Sequence, residues 1–389
     1  MAFRTIDAAG RLGGKVALVR IDANVPLKGN KIQDDTRLRE VLPTLRFLER
    51  RGAHIVLIGH LGRPQGKKVA QLSLKPVGYA LGKLLKQPVK VLPLSKGAAV
   101  LRREAKKGVV LLENIRFEAG EDENSTVLAR KLAKIGDLYI NEAFSVSHRL
   151  AASMVGITKL MPSYAGLHLE HEVEALKEMM RAGQKSVAIV GGAKVADKLP
   201  VIAELLPRLS AVLVGGAVAN TFLAAKGIQV GKSLVDKEVI KQAKALLRRA
   251  GPKLELPRDV IVDRVGTRKR EVTWREVTAV RSNERIVDLG TRTTQVYAKH
   301  LKQARKIFWS GTMGLAEEHE WSHATLALGR LAAARARRLT YVMVGGGDTV
   351  AFFAKHNLTV DHVSSAGSAM LQFLAGAKLP GLTALGYRA

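Results

Sequence analysis

Cysteine is missing from all 389 residues, which excludes disulfides, metal–thiolate centres and a cysteine nucleophile. Aromatic residues make up only 5% of the chain, poor material for stacking successive nucleic-acid bases. Acidic residues are scarce as well: 34 Asp and Glu face 63 Lys and Arg, a formal net charge of +29. A field of that sign attracts nucleic acid, anionic membranes and phosphorylated metabolites alike. The cations are spread through amphipathic stretches such as Lys237 to Arg249 and Arg330 to Arg338. A broadly basic surface is the simpler reading, and nucleic-acid binding is expected at most as a side activity. The most membrane-like stretch, Ala211 to Ala225, is short and carries a glycine pair and Asn220, so a buried strand and helix are expected there rather than a span. Met1 to Asp7 lacks an apolar core of signal-peptide length, and a cytoplasmic location is expected. No loop reads Gly, four residues, Gly-Lys-Ser/Thr, so the Walker motif is absent.

What the chain does have is size and alternation. Its 389 residues exceed what one core usually supports, and 47% hydrophobic with 25% charged residues suits a globular protein of two domains. Strand-like runs at Val16 to Arg20, His54 to Ile58, Val89 to Leu92, Val109 to Leu112 and Leu138 to Ile140 alternate with helical stretches Arg37 to Glu49, Lys75 to Leu85 and Thr126 to Ile135. The second half repeats the pattern with strands at Val187 to Val190, Ala211 to Val214, Val260 to Val262, Lys306 to Trp309, Tyr341 to Val344 and His362 to Ser364. The spacing predicts an α/β fold of two lobes, each a parallel, Rossmann-like sheet with helices on both faces. A charged stretch from Leu169 to Arg181 reads as a rigid connector helix rather than a flexible linker. Ligands are then expected at the carboxyl ends of the strands.

The two halves end their strands differently. In the second, apolar runs stop in glycines at Gly191-Gly192-Ala193-Lys194, Gly215-Gly216 and Gly345-Gly346-Gly347-Asp348-Thr349. Each turn predicts a helix start whose N–H groups can approach an anion with no Cβ in the way. Lys194 and Lys198, four apart, are expected on one helix face near its N-terminus, where two cations need an anion between them. Asp348 could hold magnesium on nucleotide phosphates and Thr349 cap the helix or touch a phosphate, though N-capping alone would explain both, and Glu317 could meet ribose hydroxyls or be an ordinary surface glutamate. The first half offers basic groups at strand exits instead: Arg37, His60, Arg63, Arg116, His148 and Arg149, with Asp22 and Asn24 after the first strand. Any one alone would serve as a turn or a surface cation. Their recurrence, set against phosphate-cradling loops, points to two anionic substrates on separate lobes with a phosphoryl group passed between them.

The ordered set of segments resembles the phosphoglycerate kinase family nearly end to end. It comprises Val19 to Leu27, Asp35-Thr36-Arg37, His60 to Pro64, Leu112 to Phe117, Asn141 to Phe144, His148-Arg149, Gly191 to Lys198, Trp309 to Glu317 and Gly345 to Thr349. The resemblance implies an N-terminal domain, residues 1–168, binding 3-phosphoglycerate or 1,3-bisphosphoglycerate through Asp22, Asn24, Arg37, His60, Arg63, Arg116 and Arg149. It implies a nucleotide domain, 169–371, binding ADP or ATP with Mg2+ through Gly191, Lys194, Lys198, Gly215, Glu317, Gly346, Gly347, Asp348 and Thr349, and a segment 372–389 returning to the first domain. Arg37 and Lys198 are the expected catalytic residues and Asp348 the metal ligand, in a hinge-bending monomer with no obligate protein partner. Four features depart from the family pattern: Ala23 replaces an aromatic, Ala151 a histidine, Trp309-Ser310-Gly311-Thr312 stands for Trp-Asn-Gly-Pro, and Ala366-Gly367-Ser368 for three glycines. They leave open a second reading, a weakened relative that binds nucleotide or RNA.

Overall fold

The computed structural model describes residues 3–181, 183, 185–266 and 272–388. It divides into two compact units, Met1–Glu174 with Lys378–Ala389, and Ala175–Ala377. The first unit is built on a six-stranded parallel sheet in the order Val89–Leu92, Val109–Leu112, His54–Ile58, Val16–Arg20, Leu138–Asn141, Ser163–Ala165. Its central strands are nearly continuous apolar runs because helices cover both faces. Val19, Ile21, Leu57 and Leu111 pack in one cluster with Leu45, Leu48 and Leu81, while Leu18, Val56, Val110 and Tyr139 pack in another with Leu101, Leu128 and Leu132. Each such Leu, Ile or Val contributes roughly 1.5–3 kcal/mol on burial.

The second unit repeats the plan, in the order Leu254–Glu255, Ala211–Val214, Ser186–Val190, Lys306–Ser310, Tyr341–Gly345, His362–Ser364. All strands of each sheet run the same way, so one edge gathers every strand exit: Asp22, His60, Arg116 and Glu142 in the first unit, the glycine turns in the second.

Several expectations change. The run at Val260 to Val262 belongs not to the parallel sheet but to Asp259–Arg264, the middle strand of an antiparallel three-stranded sheet with Val272–Glu276 and Glu284–Leu289. The single helix expected over Arg37 to Glu49 is two, Thr36–Glu40 and Leu42–Arg50. Pro43, with no N–H to continue the first helix's ladder, sits in the first turn of the second instead. The connector helix runs Leu167–Met180, and the buried carboxylate of Glu142 caps its start by accepting from Leu169 N (2.9 Å) and His168 N (3.2 Å). Residues 372–377 stay with the second unit, where Ser368–Leu374 packs on Val195–Leu205. From Lys378 onward the chain lies in the first unit, where Gly381 N donates to Ser147 O (2.8 Å) and Tyr387 meets Phe3 edge-on.

Candidate active site

In the first unit the exit of Val16–Arg20 turns at once, and Asp22 is enclosed by donors. Its Oδ1 accepts from Asn24 N (3.0 Å), and its Oδ2 from Arg37 (3.0 Å) and from the Ser145 hydroxyl. The same Arg37 nitrogen donates to Asn24 O (2.8 Å). Asp22 is thus first of all the carboxylate that aims Arg37. Asn24 Oδ1 accepts from Gly62 N (3.0 Å), which ties the first strand's exit loop to the second's and leaves the amide nitrogen for a ligand.

His60 is buried, at 3% exposure. Burial pushes its pKa well below the usual imidazole value, and the neighbouring charges of Arg20, Arg116, Arg37 and Arg149 push it further. The ring is therefore neutral at pH 7, with the Arg20 guanidinium 3.1 Å from Nδ1 and the charges of Arg116, Arg37 and Arg149 near enough to act on it. Arg116 is fixed by donating to Gly62 O (2.8 Å) and pairing with Asp122 (3.3 Å), and its own pKa is lowered, chiefly by burial. Arg149 and Arg63 are both exposed. So dense a group of cations is unfavourable unless an anion joins it. Arg20 is not singled out by the sequence because it closes an otherwise apolar run; the one signal was that a lone arginine stands there, and the structure buries it to 2% exposure.

The second unit's glycine turns divide into two kinds. At the first two, the N–H groups do not face outward: Gly191 N donates to Ser310 O (2.9 Å), Gly192 N to Thr312 O (2.9 Å), Gly215 N to Val190 O (3.1 Å) and Gly216 N to Met313 O (2.8 Å). The missing Cβ atoms make room for protein. One on Gly191 would lie 2.0 Å from Thr312 O, and one on Gly215 2.7 Å from the Met313 Cα. These glycines let the Gly311–Gly314 loop pack down on the sheet. The third turn differs: Gly346 has φ +93°, and a Cβ on Gly347 would meet nothing within 4 Å. The first-turn N–H groups of Gly347–Lys355 have no intrahelical acceptor, and no side chain caps them.

Lys194 and Lys198 do not share a helix face. Lys194 is exposed and precedes the helix Val195–Leu205 as its N-cap residue. Lys198 folds inward, its ammonium donating to Gly191 O (2.6 Å) and Ser310 O (2.8 Å). Burial lowers its pKa to about 8 against the opposing pull of Asp348 and Asp197. Thr349 is buried and neither caps its helix nor faces solvent, since its hydroxyl oxygen accepts from Gly311 N (2.6 Å). A pocket of about 250 Å³ is lined by Glu317 and Asp348 together with Asn220, Lys232, Leu234 and Arg285. Leu234 and Leu315 expose 62% and 40% of their surface, both at this pocket, giving an apolar slot beside the carboxylates. No motif singled out Asn220, Lys232 or Arg285, which lie within the helix Gly216–Ala225, in the turn after it and on the strand Glu284–Leu289.

The four departures are structurally mild. Ala23 is buried against Gly59, where even a Cβ on the glycine would come within 2.7 Å of it. Ala151 is buried just before the π-helical turn Ala152–Gly156. Thr312 is held by donating to Gly314 O (2.9 Å), while the Ser310 hydroxyl is buried without a partner among the described residues. Gly367 keeps a positive φ of +54° ahead of Ser368–Leu374, so the loop's special conformation falls on the glycine that remains.

A family model described as Phosphoglycerate kinase matches residues 6–377. The phosphoglycerate kinase of Rubrobacter xylanophilus is 42% identical over 382 residues, covering 96% of this chain and 96% of that one. The Caulobacter vibrioides enzyme is 41% identical over 395 residues, covering 99% and 100%. Among solved structures, the phosphoglycerate kinase of Coxiella burnetii superposes with a TM-score of 0.88 at 38% identity, covering 99% of each chain. That of Pyrococcus horikoshii gives 0.84 at 32% identity, covering 99% of this chain and 98% of that one.

Proposed function

The chain belongs to the phosphoglycerate kinase family, and from that premise we propose how its own residues carry the reaction. The reaction is reversible phosphoryl transfer between 1,3-bisphosphoglycerate and ADP, giving 3-phosphoglycerate and ATP. The enzyme is a glycolytic phosphotransferase with a carboxyl group as acceptor. The cluster of Arg37, Arg116 and Arg149 at His60 carries the assignment of the acid phosphate to the first unit. Asn24 and Arg63 complete that site, with Asp22 holding Arg37 in aim. The nucleotide takes the second unit's pocket, its base in the slot of Leu234 and Leu315 and its ribose by Glu317. Its phosphates lie at the first turn of Gly347–Lys355, within reach of Lys194 and Lys198. Gly191 and Gly215 shape this site by close packing rather than by contact.

Run toward 1,3-bisphosphoglycerate, the nucleophile is a carboxylate whose pKa of roughly 3.5 leaves it ionised at neutral pH, so no general base is needed. Catalysis is then alignment plus neutralisation of charge on the transferring phosphoryl oxygens, the task of Arg37 and Lys198. Asp348 fits a magnesium ion carried on nucleotide phosphates: it is exposed at the pocket, and magnesium commonly binds one carboxylate plus phosphate oxygens. Magnesium bound there would neutralise phosphate charge. Direct transfer requires both bound ligands to meet with water excluded, and a hinge between the units supplies this. Scattering curves that contract only when both substrates are present support the closure; curves unchanged by the pair count against it. The assignment of lobes is tested by Arg37→Ala, which should cut turnover far more than nucleotide affinity; equal losses in both would place Arg37 wrongly.

A further inference from the structure

Behind His60 lies a chain of buried polar groups that the transfer chemistry does not itself use. Arg20 donates from Nε to the Ser153 hydroxyl (3.0 Å), from one terminal nitrogen to Ile21 O, and from the other to His60 Nδ1 (3.1 Å). Ser153, fully buried on the π-helical turn Ala152–Gly156, donates its hydroxyl hydrogen bond to Glu121 Oε1 (2.5 Å) while its N–H donates to Oε2 (3.0 Å). Ser153 O accepts from the Tyr139 hydroxyl (2.8 Å). Glu121 is 2% exposed, so its two oxygens are both committed inside the unit. Single π-helical turns recur at functional sites, and this one exists where Ser153 must reach Arg20 and Glu121 together.

The directions of these bonds decide a proton's position. A guanidinium can only donate, so the His60 nitrogen facing Arg20 presents a lone pair. A neutral imidazole with its acceptor at Nδ1 carries its one proton on Nε2. His60 Nε2 has no protein partner among the described residues, which leaves that N–H for the ligand. The charged groups acting on the ring are Arg20, Arg116, Arg37 and Arg149, all cations, so none can turn Nδ1 into a donor. Those acting on Glu121 are Arg20 and Asp122.

We propose that Glu121, Ser153 and Arg20 are positioning residues that lock His60 in the Nε2–H tautomer, making it a neutral hydrogen-bond donor to the acid phosphate rather than a base. This rests on the reading of the first unit as the acid-phosphate site. Glu121 orients the serine hydroxyl, the hydroxyl orients the guanidinium, and the guanidinium selects the tautomer.

The test is long-range proton–nitrogen NMR of the imidazole in the full-length protein at pH 7, with and without 3-phosphoglycerate, together with steady-state kinetics. In the unsubstituted enzyme the Nδ1 shift should be that of an unprotonated nitrogen and Nε2 that of a protonated one. In Ser153→Ala and Glu121→Gln the two shifts should move toward each other as tautomers mix. KM for 3-phosphoglycerate should rise roughly tenfold, the scale of one well-placed hydrogen bond to a charged group, with KM for ATP unchanged. A protonated Nδ1 in the unsubstituted enzyme overturns the proposal without any variant having to fold. Variants that raise both KM values alike, or leave the ring shifts unmoved, overturn it as well. If 3-phosphoglycerate fails to perturb His60 at all, the assignment of the site falls instead, whichever tautomer is seen.

Discussion

Nucleotide binding should take up a proton above neutral pH, and Lys198 is the reason. In the free protein Lys198 is 7% exposed and burial lowers its pKa to about 8, against an ordinary value of 10.5. A nucleotide phosphate beside it restores the attraction that burial removed, returning the pKa toward its ordinary range. At pH 9 a group of pKa 8 is about 10% protonated and one of pKa 10.5 about 97%, so ADP binding should absorb about 0.9 proton. The nucleotide's own phosphates, with their last pKa near 6, are already ionised and add nothing. Between pH 8 and 10 the affinity should then fall by about tenfold per unit. Calorimetric titration with ADP at pH 9, in buffers of different ionisation enthalpy, measures the uptake directly. Lys198→Met should abolish it, which separates Lys198 from Lys194 and Lys232. No buffer dependence at pH 9, or uptake that survives Lys198→Met, refutes the argument. The stability sign follows as well. Because the unfolded chain holds that proton up to 10.5 while the native state releases it near 8, unfolding free energy should rise with pH in this window. The rise amounts to about 3 kcal/mol for this group alone.

Other expectations are as direct. Glu142 is fully buried, and burial raises its pKa to about 7 despite the N–H groups it accepts from. Its contribution to stability is therefore complete below pH 4.5 and is lost as pH rises through 7, a swing of about 3 kcal/mol that denaturation of Glu142→Gln should lack; an identical pH slope in both proteins contradicts it. Gly191→Ala places a Cβ 2.0 Å from Thr312 O and 2.7 Å from the Met313 Cε, and should cost more than about 3 kcal/mol with loss of nucleotide binding. Gly347→Ala, whose Cβ meets nothing within 4 Å, should leave the melting temperature almost unmoved; equal losses in the two would undo the division of the glycine turns. Arg37→Ala should lower kcat by about two to three orders of magnitude with the ADP dissociation constant within about twofold, as rapid kinetics and calorimetry can show.

Much of this architecture is legible in the sequence because parallel strands covered on both sides must be apolar runs: Val16–Arg20 and His54–Ile58 could hardly be anything else. The runs say nothing of partners, which is why Val260 to Val262 was assigned to the wrong sheet. Ser163–Ala165, only three residues long and directly following Pro162, is too short and too polar to announce an edge strand, and its pairing with Leu138–Asn141 depends on the fold around it. Arginines at strand exits are equally readable, yet Arg20 hides inside an apolar run and its partner Ser153 is distant in sequence. The glycines mark the site's limit of legibility. A missing Cβ can admit a phosphate or a neighbouring backbone, and Gly191 and Gly347 differ only in what the folded chain brings to them.

The central claim is that the phosphoryl group passes straight from nucleotide to acid, aimed by Arg37 and Lys198, with no protein group taking it in between. Transfer from ATP made chiral at its γ-phosphorus with oxygen isotopes tests this most directly. A single in-line displacement predicts inversion of configuration in the 1,3-bisphosphoglycerate formed. Retention would reveal two displacements through a phosphorylated side chain and would contradict the account.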